Sequence, residues 1–587
     1  MNNQEIARLL RRVAVAYVIN DEKKYRFQII AYQRAADAIE SAVAEISDLY
    51  RENKLDTIPG VGASMQQSLT ELCKTGEVKH FQTLLASVPP AMFPLLNIPS
   101  FGPKKAYRLV THFHLTDEKT VINDVKKLAE EGKIAELEGF GEKSQGEMLK
   151  AIQEFQLVKN VGQRMPLPYA NELAQQIITY MKQIPSVEEI YPLGSLRREV
   201  ETIGDVDLGV GTHDAKAVLD HFVNYPYKTR VLDCGDIGAS LLASNGIRVD
   251  IKTQSPETFG AMLQHFTGSK DHNVHLREIA LKRHVSLSEK GIKDLKTEKM
   301  KTYKTEESFY AALDMQWIPP EMRENVGEIE LAQKKRLPNL VELKDMKGDM
   351  HIHSSFPMEE SHDAGQSPIE TMLEKAKKLG YSYLAFSEHN PSISKHSQKE
   401  VATLIQKRNE HIDKIYSKIN SVRVVKMLET DILVNGELAI DNSSLELLDA
   451  TIVSIHSSFQ MDRKAMTSRI LKGLSHPKAK IFAHPTGRLI NERKGYDVDW
   501  EQLFDFCAKN NKALEINAFP SRLDLTDSLI RQARKYHLKF SIDTDSHAVE
   551  QMDLMQYGVS VARRGWLSKG DILNCMEYNE LIEWLRR

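Results

Sequence analysis

The amino-acid sequence predicts a multidomain chain with an all-α front end, an α+β middle and a C-terminal part with the rhythm of a β/α barrel. Three observations carry this. At 587 residues the chain is too long for one hydrophobic core. Up to about Phe155, apolar residues recur at three- and four-residue spacing between Gly/Pro-marked turns. Beyond Gly348, short strands ending in histidine or carboxylate (GDMHIH, YLAFSEH, ATIVSIH, KIFAHP, LKFSIDTDSH) alternate with helical stretches.

Composition narrows the class. With 41% hydrophobic and 27% charged residues, the chain is of ordinary globular type. No long apolar run occurs, and MNNQEIARLLRRV lacks an apolar signal region, so neither secretion nor a membrane anchor is expected and the cytoplasm is the expected compartment. Cys73, Cys234, Cys507 and Cys575 stand singly, which excludes a CxxC zinc site and a disulfide framework. The net charge of −3 means that nucleic-acid affinity has to come from local patches.

In the front end one motif recurs three times: IPGVGASM from Ile58, IPSFGPKKA from Ile98 and LEGFGEKSQ from Leu137. Each sets two small residues two apart between helical stretches: Gly60 and Gly62, Ser100 and Gly102, Gly139 and Gly141. This is the helix-hairpin-helix pattern, in which small residues let N–H groups at a helix start approach a DNA phosphate without reading sequence.

From Val187 to about Lys252 the runs EEIYPL, DVDLGVG and IRVDIKT predict strands, and a helical stretch follows from about Phe259 to Lys282. Asp205 and Asp207 fall on one strand face, with Val206, Leu208 and Val210 on the other, and Asp250 lies opposite Val249 and Ile251. Three such carboxylates can hold two divalent cations roughly 3.5–4 Å apart for in-line phosphoryl displacement. The preceding Gly194-Ser195 turn with Arg197 and Arg198 supplies donors that suit a triphosphate.

GSLRR at 194–198, DVD at 205–207, RVD at 248–250 and HFTGSKDHNVHLRE from His265 resemble family X DNA polymerases. The resemblance implies a nucleotidyltransferase palm with a small thumb subdomain. It implies that Asp205 and Asp207 bind metal, that Asp250 accepts the primer 3′-hydroxyl proton, and that Gly194, Ser195 and Arg198 hold the incoming dNTP. It further places Phe266 and Gly268 at the sugar, Asn273 at the base and Arg277 on the template. His265 replaces the tyrosine of many members, and Ser68 stands where members with deoxyribose-phosphate lyase activity have a Schiff-base lysine, so that activity is not expected.

The polar segment WIPPEMRENVGEIELAQKKRLPNLVELKDMKG, with prolines at 319, 320 and 338, predicts the main linker. Beyond it, His351, His353, His389, Glu429, His456, His484, Asp545 and His547 arrive from successive strand ends, as a polynuclear N/O metal site requires. HPTGR, EINAFPSRLDL and TDSH carry a resemblance to the PHP domain, a distorted β/α barrel, and imply a trinuclear centre with 3′–5′ exonuclease activity. Counting back from SPIE gives Asp363 as a further ligand; counting forward from His353 gives Glu359; Asp363 is preferred. Glu388-His389 replaces the family's usual Asp-His.

The expected order is a helix-hairpin-helix domain at 1–80, a fingers-like helical domain at 81–158, the palm at 159–255, the thumb at 256–320, the linker at 321–345 and the PHP domain at 346–587. The expected function is a bifunctional repair enzyme, acting as a monomer on gapped or primed DNA with dNTPs. Mg²⁺ is expected in the palm and Mn²⁺ or Zn²⁺ in the PHP domain. A nuclease with an inert polymerase-like half, and a non-catalytic DNA-end scaffold, are the competing readings.

Overall fold

The computed structural model describes residues 3–41, 46–51, 55–58, 61–98, 101–118, 120–137, 139–142, 144–146, 148–149, 151–152, 164–244, 246–359, 364–392 and 395–587. Gly60 and Asp363 lie outside the described residues. The chain forms two compact units, Met1–Asn160 and Val161–Arg587.

The first unit is helical around two apolar clusters. Helix α1 (Asn3–Asp21) serves both, because helical spacing sends Ile6, Leu10, Val13 and Tyr17 into one and Ala16 into the other. Gly62 is the N-cap of α2 (Ala63–Thr75), and Gly102 that of α3 (Pro103–His112); neither end has a side-chain cap. No atom lies within 4 Å of where a Cβ would stand on Gly62, Gly102 or Gly141. Packing therefore does not demand glycine there, and the helix starts are left open.

In the second unit the palm is a five-stranded sheet. Its strands are β1 (Glu189–Pro192), β2 (Val206–Gly211), β3 (Lys228–Cys234), β4 (Gly238–Ala243) and β5 (Arg248–Gln254), in the order β1-β2-β5-β4-β3. Val206, Leu208, Val210, Val249 and Ile251 form its buried face. Strands β2 and β5 are parallel, with Asp207 directly opposite Asp250. Asp205 falls one residue before β2.

The helical stretch after the palm is two helices, α4 (Phe259–Thr267) and α5 (Lys270–Lys282), parted at Gly268-Ser269. They lead into a small three-stranded sheet. The linker expected over 321–345 is instead packed. Met322, Ile329, Ala332 and Leu340 join the core of Leu276, Phe309 and Tyr310, and the buried Glu328 meets His272 at 2.6 Å. The polarity of this segment hid a helix of one turn and a half, Glu328–Gln333, whose Glu328 is buried against His272 while Glu330 stays exposed.

The C-terminal region closes into a distorted barrel of parallel strands: β6 (Gly348–Ile352), β7 (Tyr383–Phe386), β8 (Arg423–Lys426), β9 (Glu429–Asp431), β10 (Thr451–Ser454), β11 (Ala479–Phe482), β12 (Ala513–Asn517) and β13 (Lys539–Asp543). They pair as β6-β7-β8 and as β9-β10-β11-β12-β13. Parallel bridges His389–Glu429 and Ile352–Ser546 join the two sheets at both seams. Met350, Tyr383, Ala385, Ile452 and Ile481 fill one apolar cluster, while their neighbours Ile352, Leu384, Phe386, Val453 and Phe482 fill another. Burial on both faces is why these strands read as apolar runs.

Candidate active sites

In the palm, oxygens of Asp205, Asp207 and Asp250 lie within 4.8 Å of one another. Burial, and then the charges of Asp205 and Asp250, push Asp207 up to about 7. Three carboxylates this close fit divalent cations, which would remove the repulsion. Arg248 Nε donates to Asp250 at 2.8 Å and the Ser240 hydroxyl also reaches it, two contacts that sequence reasoning missed because Ser240 comes from the unforeseen strand β4. Gly194 has φ 55°, and a Cβ on it would lie 2.8 Å from Asp207 Oδ2. Both facts require glycine, so the GS turn is pressed against the carboxylate site.

The two arginines after that turn diverge. Arg197, read with Arg198 as a phosphate donor, is instead turned into the thumb, where it pairs with Glu306 at 2.6 Å and Thr267 Oγ1 at 2.5 Å. Arg198 donates to Glu324 at 3.1 Å and to the Thr267 carbonyl at 2.5 Å. Its Nη1 lies 2.9 Å from the position of a Cβ on Gly268, whose φ is 71°. Asn273 donates to the His265 carbonyl at 2.7 Å and accepts from Gln264 at 2.8 Å. Phe266 lies under Lys252, with Nζ 4.9 Å from the ring centre, and Arg277 donates to the Asn273 carbonyl at 3.2 Å. The residues that the family resemblance places at the nucleotide thus lie together where palm and thumb meet.

In the barrel, the sequence-predicted ligands converge at strand C-terminal ends. Among the described residues, three overlapping groups each have ligand atoms within 4.8 Å: His351, His353 and Asp545; His353, His389 and His547; His389, Glu429 and His456. His484 joins through Glu429, its Nε2 2.9 Å from Oε1. The buried His351 Nε2, His353 Nε2 and His484 Nδ1 have no well-formed hydrogen bond. Burial lowers His353 to about 4 and His484 to about 3, so both are neutral imidazoles at neutral pH. For His456 burial is outweighed by Glu429 and Asp431, which raise it to about 9. Imidazoles and carboxylates in this arrangement suit a polynuclear metal centre. Positive φ at His484 (29°) and Asp545 (53°) is backbone strain of the kind held at functional sites.

Glu359, the alternative to Asp363, is engaged elsewhere: it meets Lys395 at 2.8 Å and accepts from the Ser392 amide at 2.7 Å. Glu388, beside His389, is buried and accepts from Arg408 Nε at 2.8 Å. Sequence reasoning missed the supporting shell. Glu515 holds His351 Nδ1 at 2.6 Å and Asp431 holds His456 Nδ1 at 2.7 Å, fixing ring orientation. Arg522, 3.6 Å from Asp545, lines a cavity of about 230 Å³ over the histidines with Phe519 and Leu489. The signal for Glu515 and Arg522 lay in EINAFPSRLDL, as residues ending β12 and beginning its loop.

Comparisons with known proteins agree with this layout. The chain matches the helix-hairpin-helix domain over residues 1–78, the DNA polymerase beta thumb over 262–324 and the PHP domain over 349–519. It is 32% identical over 589 residues, covering 100% of both chains, to the DNA polymerase/3′-5′ exonuclease PolX of Bacillus subtilis (strain 168). The chain belongs to the PolX family. It is therefore a family X DNA polymerase joined to a PHP-associated exonuclease, and both modules are metal-dependent. DNA polymerase lambda of Rattus norvegicus is 25% identical over 308 residues, 49% of each chain. A probable phosphatase of Syntrophotalea carbinolica (strain DSM 2380 / NBRC 103641 / GraBd1) is 21% identical over 235 residues, 38% of this chain and 90% of its own. The thumb match runs past residue 320 into the packed segment 321–345. No described helix is long and apolar enough to cross a membrane.

Proposed function

We propose that this PolX-family chain fills short gaps during DNA repair with Mg²⁺ in the palm, and trims DNA 3′ ends at a trinuclear Mn²⁺- or Zn²⁺-loaded PHP centre. The observation that carries the reading is the presence of two separate clusters, one of three carboxylates and one of imidazoles with carboxylates. Divalent ions there would neutralise phosphate charge and activate the attacking oxygen.

The chain's own residues divide the remaining work. Asp205 and Asp207 hold the palm ions, and Asp250 takes the proton of the primer 3′-hydroxyl. Gly194, Ser195 and Arg198 hold the triphosphate. Phe266 and Gly268 border the sugar, Asn273 reaches the base in the minor groove and Arg277 the template strand. Gly60, Gly62, Gly102, Gly139 and Gly141 bring backbone N–H groups to DNA phosphates, independent of sequence. In the barrel His351, His353, Asp363, His389, Glu429, His456, His484, Asp545 and His547 hold the metals, and Arg522 faces the scissile phosphate. Incubation with 5′-labelled gapped DNA, with and without dNTPs, in Mg²⁺ and then Mn²⁺, tests both activities. Products longer than the primer with dNTPs and shorter without them support the reading; failure of either class refutes that half.

A further inference from the structure

A chain of buried and half-buried charges runs from the PHP domain to Arg198. Helix α6 (Asp527–Ala533) follows the loop that carries Arg522, and helix α7 (Met555–Arg564) packs beside it. Arg564, with a side chain 8% exposed, ends α7 and uses its guanidinium three ways. Nη2 donates to Asp527 at 2.7 Å, and Nη1 donates to Glu324 Oε1 at 3.0 Å and to the backbone carbonyl of Arg198 at 2.7 Å. The same Glu324 Oε1 accepts from Arg198 Nε at 3.1 Å. One thumb carboxylate oxygen is thus shared by an arginine of the palm and an arginine of the PHP domain.

We propose that Arg564 is a positioning residue for DNA synthesis, by which the PHP domain readies Arg198 for the triphosphate. This rests on the reading of Arg198 as a triphosphate ligand. Without Arg564, moving Arg198 from Glu324 to a phosphate strips the carboxylate of its cation, a costly loss for a largely buried group. With Arg564 in place, Glu324 keeps a partner when Arg198 swings away, and the bond to the Arg198 carbonyl holds the GSLRR turn fixed. Two cations sharing one oxygen also make the Arg198 bond easier to give up. Neither effect requires the PHP metal centre.

The test uses the full-length protein, gapped DNA and Mg²⁺, with single-stranded DNA and Mn²⁺ as the exonuclease control. Losing the charge-assisted bonds of Arg564→Gln raises the dNTP KM about tenfold. Exonuclease rate stays within about twofold, because Arg564 touches no metal ligand. In a Glu324→Gln background the same change has an effect of only about twofold, since no carboxylate is left to be orphaned. Asp527→Asn, which loosens Arg564 from the other end, gives a smaller KM rise of about threefold and serves if Arg564→Gln does not fold. An unchanged KM, a parallel fall of both activities, or an equal effect with and without Glu324 overturns the proposal. Arg198→Ala separates the two layers: if it leaves KM unchanged, the triphosphate reading fails; if it raises KM while Arg564→Gln and Asp527→Asn do not, only the present inference fails.

Discussion

In the palm Asp205 is open to solvent and Asp207 and Asp250 are half-buried, and Arg198 and Asn273 make hydrogen bonds with thumb residues. In the barrel His351, His353, Glu429 and His484 are almost fully buried, and Glu515 and Asp431 already orient two of the imidazoles. The two clusters are thus held to different degrees. The barrel imidazoles are buried and oriented by a supporting shell of carboxylates, whereas the palm carboxylates lie nearer solvent.

The sharpest break of this comparison is at the open site. Asp207→Ala abolishes primer extension in a gap-filling assay while DNA binding, measured by gel shift, changes by no more than a few fold, because helix-hairpin-helix contacts need no palm carboxylate. Continued extension would remove the two-metal assignment. At the preorganised site, Glu515→Gln keeps every ligand but frees His351, and is expected to weaken metal binding by about 10–100-fold in a metal-titration assay. An unchanged titration would mean that the buried shell contributes nothing.

A pH series sharpens the contrast from the palm side. Folding moves Asp207 from the ordinary aspartate range up to about 7, first through burial and then through Asp205 and Asp250. Its folded-state pKa is raised, so the unfavourable charge is absent below the unfolded value, grows as pH rises through that value and is complete above about 7. In metal-free protein, Asp207→Asn should therefore raise Tm by a few degrees near pH 8 and by nearly nothing near pH 4, read by calorimetry. Equal shifts at both pH values would contradict the burial argument. The smallest expected signal is at Ser68, whose hydroxyl donates to the Ser64 carbonyl at 3.2 Å. Borohydride treatment with an incised abasic site should trap no adduct within residues 1–80, because no amine stands at that position.

Local spacing made much of this legible. Asp205 and Asp207, and His351 and His353, stand two apart in or beside a strand, and strand periodicity puts both members of each pair on one side. The strand-end histidines likewise come together at the C-terminal ends of the barrel strands. What stayed hidden depends on partners distant in sequence. Nothing near Arg197 reveals that Glu306 claims it, and nothing in the polar run 321–345 reveals that the buried Glu328 is hydrogen-bonded by His272. Glu515 and Asp431 were obscured because a carboxylate supporting a ligand looks like any other until the ring it holds is known.

The central claim is that the two chemistries reside in separate clusters, and one assay tests it most directly. Asp205→Ala with Asp207→Ala, and His351→Ala with His353→Ala, are each given 5′-labelled gapped DNA, first with Mg²⁺ and dNTPs and then with Mn²⁺ alone. The account predicts that the first variant loses extension and keeps 3′–5′ degradation, while the second loses degradation and keeps extension to within about tenfold, the margin left for altered DNA placement. Degradation that survives without both histidines, or parallel loss of both activities in either variant shown to be folded, would contradict it.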